Sequence, residues 1–261
     1  MKQRVITAIV ALIFFIPVLY IGSWVLEIVA VLMGLVGMYE LLKMKGISIF
    51  SIEGIIASIG MMLILVPKQY LSFIPLSLST LFLFYICGIL LLVCTVFSKN
   101  SFTIDDAGVA TLGALYIGTG FHYFIETRAA GLPLLMFVLF VVWATDIGAY
   151  MFGRKIGKTK LAPAISPNKT IEGSIGGMVS AIVVAAIYLY FFPQAFSMGI
   201  MLALTVLFSI AGQLGDLVES AFKRHYDVKD SGTILPGHGG ILDRFDSLLF
   251  VLPIVHLVTL I

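Results

Sequence analysis

Apolar residues run in long blocks along this chain, and polar residues are gathered into the short segments between the blocks. A helix needs roughly 17–25 mostly apolar residues to cross a bilayer, and nine such blocks can be recognised. They lie near residues 5–21, 24–42, 52–66, 76–97, 107–125, 132–152, 171–192, 199–221 and 241–261. The pattern predicts an all-α, polytopic integral membrane protein with about nine transmembrane helices.

The composition supports this interpretation. Hydrophobic residues make up 60% of the 261 residues and charged residues only 11%, whereas a soluble domain carries about 25% charged residues. So few polar groups cannot cover a water-facing surface, and the lipid bilayer must therefore cover much of the chain. The net charge of +2 gives no indication of a nucleic-acid partner.

Basic residues predict the orientation, because Lys and Arg are retained on the cytoplasmic side of a membrane. With nine spans and a cytoplasmic N-terminus, thirteen of the 16 basic residues fall in cytoplasmic segments. Only Lys68 and Arg128 fall on the far side, and Arg244 lies inside the last apolar block. The first block lacks a small-residue cleavage site, which is typical of a retained helix. We expect a bacterial cytoplasmic membrane protein whose active site faces the cytoplasm.

The two halves of the chain differ in their polar residues. Residues 1–131 are predicted to be structural and lipid-facing, because their acids lie mostly near helix ends, where water or headgroups can solvate them. These acids are Glu27, Glu40, Glu53, Asp105 and Asp106. Residues 132–261 are predicted to be catalytic, because the long loops 153–170 and 222–240 are flanked by apolar helices that contain acids. An ionisable group inside a membrane segment is by default a functional hypothesis.

The densest group of acids lies around residues 216–246. Asp216, Glu219, Ser220 and Lys223 follow an i, i+3, i+4, i+7 spacing, so they share one helix face. The last apolar block opens with two further acids, which lie three residues apart. Carboxylates are the ligands that Mg²⁺ prefers, together with substrate phosphates. The predicted metal ligands are Asp216, Asp243 and Asp246, and a second cation is possible.

A glycine-rich turn, Pro236-Gly237-His238-Gly239-Gly240, precedes the last block. Glycines allow a backbone to approach a ligand closely, and the N-terminus of the following helix offers free N–H groups to an anion. An ion-pair network that locks two helices together would explain some of the nearby acids and bases. It would not explain this turn, so the pattern favours a phosphate-handling site.

The loop before residue 171 resembles a P-loop, but the spacing excludes one. Gly153 to Thr159 reads G-x3-G-K-T, whereas a P-loop reads G-x4-G-K-[ST] and follows a strand. Ser166 and Pro167 instead predict a helix N-cap followed by proline at the first helical position. Lys169 would then lie in the first turn, where the helix dipole attracts anions. Just upstream, Asp146 is either part of the site or a partner in an interhelical hydrogen bond through Thr145 or a neighbour.

One long run resembles a known signature. It reads Ser220-x2-Lys223-Arg224-x4-Lys229-Asp230-x5-Pro236-Gly237-His238-Gly239-Gly240-x2-Asp243-Arg244-x-Asp246. This run resembles the signature of the phosphatidate cytidylyltransferases, also called CDP-diacylglycerol synthases, and the motif-bearing similarity covers residues 143–246. The resemblance implies that CTP and phosphatidic acid react with Mg²⁺ to give CDP-diacylglycerol and pyrophosphate, in a protein expected to be a homodimer.

The resemblance also implies roles for individual residues. The lipid phosphate is already anionic, so the barrier lies in bringing negative phosphates together, which positioning and electrostatics lower. The implied catalytic residues are Asp216, Lys223, Arg224, Asp243, Arg244 and Asp246. The implied substrate-binding residues are Lys158, Lys160, Ser166, Lys169, Glu219, Ser220, Lys229, Gly237, His238, Gly239 and Gly240.

Two other functions remain as alternatives. A CTP-dependent polyprenol or lipid kinase would transfer the γ-phosphate to an alcohol and release CDP. A cation-coupled transporter would also contain acids within its helices, but transporters commonly show repeat symmetry and broken helices in both halves. In this chain the unusual residues are confined to one half.

Overall fold

The computed structural model describes residues 2–75 and 78–259. Within these ranges the chain forms nine α-helices, one antiparallel hairpin and a short 3-10 helix at Lys68–Leu71. The helices are α1 (Lys2–Ile21), α2 (Ser23–Lys45), α3 (Ile52–Leu65), α4 (Thr80–Phe97), α5 (Ile104–Ala130), α6 (Leu132–Ile156), α7 (Ile171–Phe191), α8 (Met198–His225) and α9 (Leu242–Thr259), and the strands are β1 (Lys160–Ala162) and β2 (Ser166–Thr170).

Each predicted apolar block overlaps one of these helices, so a helix is confirmed at each block, whereas the number of membrane spans stays a prediction. Residues 76–77 of the fourth block and 260–261 of the ninth lie outside the described residues. The prediction of an all-α fold is corrected by the hairpin, which makes the protein mostly α-helical with a small two-stranded sheet. The hairpin was missed because it lies in a polar loop, outside the apolar periodicity that the prediction used.

Several helices are apolar on both their packed and their exposed faces. In α7, Ala181 and Ala185 are buried, whereas Val183 and Ile187 on another face are 53% and 58% exposed. Among the described residues, five helices are long and apolar enough to cross a membrane, namely α2, α4, α6, α7 and α8. An exposed apolar face is stable only against an apolar solvent, so these helices make the chain an integral membrane protein.

The first of two compact units comprises Met1–Ile125 and Asp230–Leu242. Its core contains Met38 of α2, Met61 of α3 and Ile117 of α5, each with no exposed surface. A Cβ atom on Gly118 would lie 2.9 Å from Met61 O, so α5 packs directly against the backbone of α3. The segment 230–242 belongs to this unit although it lies more than 100 residues further along the chain.

The second unit comprises Glu126–Lys229 and Asp243–Ile261. Its α6 and α7 pack closely, because a Cβ atom on Gly177 would lie 2.7 Å from Thr145 O and one on Gly148 would lie 3.1 Å from Gly176 O. Small residues at such interfaces let membrane helices approach closely. This contact helps to hold the C-terminal end of α6, which is predicted to be cytoplasmic, beside the hairpin that follows it.

Candidate active site

One face of α8 carries the polar side chains that the sequence predicts to lie together. Ser220 Oγ donates to Asp216 Oδ1 at 3.3 Å, and Lys223 forms an ion pair with Glu219, one turn earlier. The predicted helix face is therefore confirmed. Glu219 is only 1% exposed, and a charge so deeply buried requires a partner such as Lys223.

Lys223 also joins α8 to α9. Its Nζ lies 2.7 Å from Asp243 Oδ1, and the two side chains are only 15% and 4% exposed. One lysine therefore lies between two carboxylates, those of Asp243 and Glu219. Carboxylate oxygens are ligands that Mg²⁺ prefers, so this cluster offers groups that could bind a further cation.

The backbone contact between α8 and α9 explains why these acids converge. A Cβ atom on Gly215 would lie 2.5 Å from Asp246 O and 3.0 Å from Phe250 Cβ. Only glycine fits at this position, so the two helices cross where their acidic residues begin. Residues 216 and 243 are 27 positions apart in the sequence and lie in this one packed region.

The hairpin brings a second lysine to the acids of α8. Strands β1 and β2 are antiparallel, with Lys160 opposite Thr170 and Ala162 opposite Ser166. Lys169 lies on β2, and its Nζ is 2.6 Å from Asp216 Oδ2. The prediction that residues 166 and 167 begin a helix, with Lys169 in its first turn, is therefore wrong. Lys169 still reaches the predicted site, but from a strand.

Local interactions explain why the helix starts later than predicted. Thr170 is the N-cap of α7, and its Oγ1 accepts from Gly173 N at 3.1 Å. Ser166 precedes a proline, and such a residue is biased towards extended backbone. The Glu172 carboxylate then accepts from the Thr159 N–H at 3.1 Å, which ties the start of the hairpin to the first turn of α7.

A polar cavity of about 480 Å³ opens between α6, α7, α8 and the hairpin. Asp146, Arg154, Asn168, Lys169 and Asp216 line it. The cavity thus contains both signs of charge in one cleft. Such concave sites with a few convergent polar groups are the usual places for small-molecule ligands.

The position of Asp146 bears on the two alternatives left by the sequence. Thr145, its proposed hydrogen-bond partner, has its Oγ1 2.8 Å from Val141 O and 2.9 Å from Ser209 Oγ. Asp146 instead lines the cavity together with Asp216, close enough for the two carboxylates to repel each other. This placement favours participation of Asp146 in the site.

The acids of the second unit would supply only some of the ligands that a cation needs. Asp246 lies within electrostatic range of Asp216 and Asp146, and its Oδ1 accepts from Ser247 N at 2.7 Å. In the described part of the chain, no group of three or more His, Cys, Asp or Glu is arranged to hold a metal ion. Because Mg²⁺ in nucleotide enzymes typically takes one or two carboxylates plus phosphate oxygens, these donors fit a cation that the substrate helps to bind.

The remaining predicted basic residues lie at the surface. Arg224 Nε donates to Ile165 O at 3.2 Å, which links the end of α8 to the turn of the hairpin. The exposed predicted residues are Lys158, Lys160, Arg224, Lys229 and Arg244. Exposed guanidinium and ammonium groups can bind phosphates. These five residues are not among those that line the cavity with Asp216.

The glycine-rich turn belongs to the first unit, where its own backbone requires two of the glycines. Gly237 and Gly239 have φ values of 77° and 83°, in the left-handed region that glycine adopts most readily. Leu235 closes the turn, because its N–H donates to Gly239 O at 3.0 Å and its carbonyl accepts from His238 N at 2.8 Å. Contact of this turn with the nucleotide stays a prediction.

The surroundings of Glu40 were not predicted from the sequence. We expected water or headgroups to solvate it, but Glu40 is only 1% exposed. Its carboxylate accepts from Ser231 Oγ at 3.2 Å, from Ile241 N at 2.9 Å and from Leu242 N at 3.0 Å. The available signal was an acid inside the apolar α2, five residues before the helix ends at Lys45. That position is costly unless the charge is satisfied.

Comparison with known proteins gives one consistent family. The sequence model of the cytidylyltransferase family matches residues 2–261. The phosphatidate cytidylyltransferase of Staphylococcus saprophyticus is 47% identical over 258 residues, which are 98% of this chain and 98% of that protein. The phosphatidate cytidylyltransferase of Bacillus subtilis (strain 168) is 47% identical over 259 residues, which are 98% of this chain and 96% of that protein. The enzyme of the same name from Staphylococcus aureus (strain COL) is 46% identical over 258 residues.

Proposed function

The chain belongs to the cytidylyltransferase family, and we propose that it transfers the cytidylyl group of CTP to phosphatidic acid. In this reaction a phosphate oxygen of the lipid forms a bond to the α-phosphorus of CTP. The bond from that phosphorus to the oxygen bridging to the β-phosphate breaks, so that CDP-diacylglycerol and pyrophosphate form. The observation that carries the proposal is the 47% identity, over 98% of this chain, to a protein named phosphatidate cytidylyltransferase.

The charges of the second unit are suited to this chemistry. Lys169 and Lys223 lie in ion pairs with Asp216 and Asp243, so each ammonium group is fixed by a carboxylate. Asp216, Asp243 and Asp246 would hold Mg²⁺, which would neutralise phosphate charge. In this proposal Lys169 and Lys223 stabilise the charge that develops on the leaving pyrophosphate, as preorganised electrostatic groups do in phosphoryl transfer.

The exposed basic residues supply a second contribution. Arg224 and Arg244, together with Lys158 and Lys160 of the hairpin region, would attract the two anionic substrates from solution and from the membrane surface. Attraction of this kind raises the local concentration of a charged substrate and depends on ionic strength. No residue is needed as a strong general base, because the lipid phosphate is already ionised.

The proposed membrane arrangement has nine spans with the N-terminus and the active site on the cytoplasmic side of a bacterial cytoplasmic membrane. CTP would arrive from the cytoplasm while phosphatidic acid enters from the bilayer.

Single cysteines introduced in place of Lys155 and Lys229, which are both exposed, should react with an impermeant reagent only from the cytoplasmic side. A cysteine at Ala195 should react only from the far side, in a background that lacks Cys87 and Cys94. The reverse pattern would overturn the orientation, and native mass spectrometry would test the expected homodimer.

The decisive test of the reaction follows the label of CTP. Purified protein in mixed micelles with Mg²⁺ and phosphatidic acid should transfer label from α-³²P CTP into lipid. With γ-labelled CTP the label should appear in pyrophosphate. Appearance of γ-label in lipid would instead establish a lipid kinase, and absence of any transfer would contradict the proposed function.

A further inference from the structure

We propose that Glu40 is a positioning residue that fixes the conformation of the segment 231–242 and so sets the affinity for CTP. The inference rests on the proposed function, because it takes the nucleotide to be CTP and the turn at 236–240 to contact it. Glu40 does not touch the reacting atoms in this proposal. It acts through the backbone of a segment that lies 191 to 202 residues away in the sequence.

The hydrogen bonds of Glu40 join both ends of this segment. Oε2 accepts from Ser231 Oγ at its start and from Leu242 N at its end, while Oε1 accepts from Ile241 N. One carboxylate therefore closes residues 231–242 into a loop. The turn at 236–240 is the middle of that loop, so its position depends on where the two ends are held.

The glycines beside Glu40 show how closely the loop packs around the carboxylate. A Cβ atom on Gly232 would lie 2.5 Å from Glu40 Oε1, and a Cβ atom on Gly240 would overlap the same oxygen. The sequence alone suggested that Gly240 makes room for a ligand. In the structure its missing side chain makes room for Glu40, which is a protein group.

A carboxylate is the group that these donors require. Two backbone N–H groups and one hydroxyl point at its two oxygens, and all three can be satisfied only by acceptors. A glutamine would place an NH₂ group against at least one donor. Ile241 and Leu242 also lie at the N-terminus of α9, where the helix dipole favours a negative charge. Asp243 follows Leu242 in the chain and is the first residue of α9 that belongs to the second unit.

The kinetic test compares Glu40→Gln with Glu53→Gln, which removes the same charge from a partly exposed position in the first turn of α3. We expect Glu40→Gln to raise KM for CTP about tenfold or more, the scale of one lost charge-assisted hydrogen bond, and to change KM for phosphatidic acid by less than about twofold. Glu53→Gln should leave both constants unchanged. A purely structural role for Glu40 would lower the amount of folded enzyme without separating the two KM values.

A second measurement does not depend on activity. Hydrogen exchange followed by mass spectrometry should show faster exchange in peptides covering 231–242 of Glu40→Gln, with peptides of α7 unchanged. Ser231→Ala removes the hydroxyl donor and leaves the carboxylate in place. This variant should also raise KM for CTP, by about twofold to threefold, and should also show faster exchange in residues 231–242. It provides the test if Glu40→Gln does not fold.

The outcomes are distinguishable. Unchanged KM for CTP and unchanged exchange in a folded Glu40→Gln would overturn the proposal, as would a uniform loss of thermal stability with unchanged KM values. If Glu40→Gln fails to fold, an unchanged KM for CTP and unchanged exchange in Ser231→Ala would overturn it. If the wild-type protein transfers no cytidylyl group, the proposed function fails. The exchange contrast at 231–242 then still decides whether Glu40 holds the segment.

Discussion

The two units of the protein bury carboxylates in different ways. In the first unit, Glu40 is satisfied by backbone N–H groups and a serine hydroxyl. In the second, Glu219 and Asp243 form ion pairs with Lys223, and Asp216 forms one with Lys169. Backbone donors cannot leave, so the first arrangement fixes a conformation. Ammonium groups can exchange one anionic partner for another, so the second arrangement can respond to phosphates and cations.

The difference shows that burial of an acid does not by itself indicate its role. Glu40 and Glu219 are each 1% exposed, but Glu40 accepts from backbone N–H groups whereas Glu219 is paired with a lysine. The partner groups identify which acid belongs to the chemistry and which supports the backbone. We therefore expect the two kinds of acid to respond differently to substitution and to Mg²⁺.

The largest effect is expected for Asp216→Asn and Asp243→Asn, which keep the size of the side chain and remove its charge. Each should lower activity at least about a hundredfold, the scale of losing one preorganised electrostatic contact. Activity measured against Mg²⁺ concentration should also shift for both. Asp105→Asn, at an exposed position, is the matched control and should behave like the wild type.

The same measurement on Glu40→Gln tests whether the two kinds of buried acid differ. Glu40→Gln should leave the Mg²⁺ dependence unchanged, because its carboxylate accepts from backbone groups. The sequence had suggested that water or headgroups solvate Glu40, and its burial revises that expectation. If Asp216→Asn and Asp243→Asn retain normal rates and Mg²⁺ dependence, the assignment of the second unit's acids is wrong.

A smaller effect is expected for Lys169→Ala. This change leaves Asp216 without its lysine and removes a cation from the polar cavity, so activity should fall about tenfold or more, as expected for the loss of a charge-assisted contact. Raising the ionic strength should diminish the difference from the wild type. Lys155→Ala, an exposed basic residue at the end of α6, should retain wild-type activity. Equal activities for the two variants would contradict a role for the hairpin lysine.

Gly232→Ala tests the shape of the first unit. The added methyl group would press on Glu40, and overpacking of this kind costs about 1 to 3 kcal/mol. We expect a lower unfolding temperature in detergent with unchanged Mg²⁺ dependence. Gly199→Ala, which has no atom within 4 Å of its Cβ position, should be neutral or slightly stabilising. A neutral Gly232→Ala would mean that the loop around Glu40 adjusts easily.

The smallest effect is expected at the cap of α7. Thr170→Ala removes the side-chain acceptor of the Gly173 N–H, and such losses typically cost about 1 kcal/mol. Ser197→Ala is a suitable control, because Ser197 is the N-cap of α8 but makes no side-chain cap hydrogen bond. Thermal unfolding should therefore separate the two variants by a few degrees. Equal stabilities would show that the cap of α7 does not help to hold the hairpin.

Local sequence features were enough to predict the helices and the polar face of α8. Apolar blocks and the i, i+4 spacing of Glu219 and Lys223 are local features, and local geometry turns them directly into helices and neighbouring side chains. The mostly α-helical membrane fold and the resemblance to a family were therefore available from the sequence. The hairpin was not, because residues 166–170 contain a serine and a proline that are equally compatible with the start of a helix.

The partner of each charged group, in contrast, depends on how distant segments pack. The contacts of Lys169 with Asp216 and of Glu40 with Leu242 join residues 47 and 202 positions apart. No periodicity in the sequence encodes such distances, because they depend on how helices pack and on where glycines let backbones meet. Glu40 and Glu219 look alike as acids within apolar helices. Their surroundings made one of them a backbone acceptor and the other a member of a charged cluster.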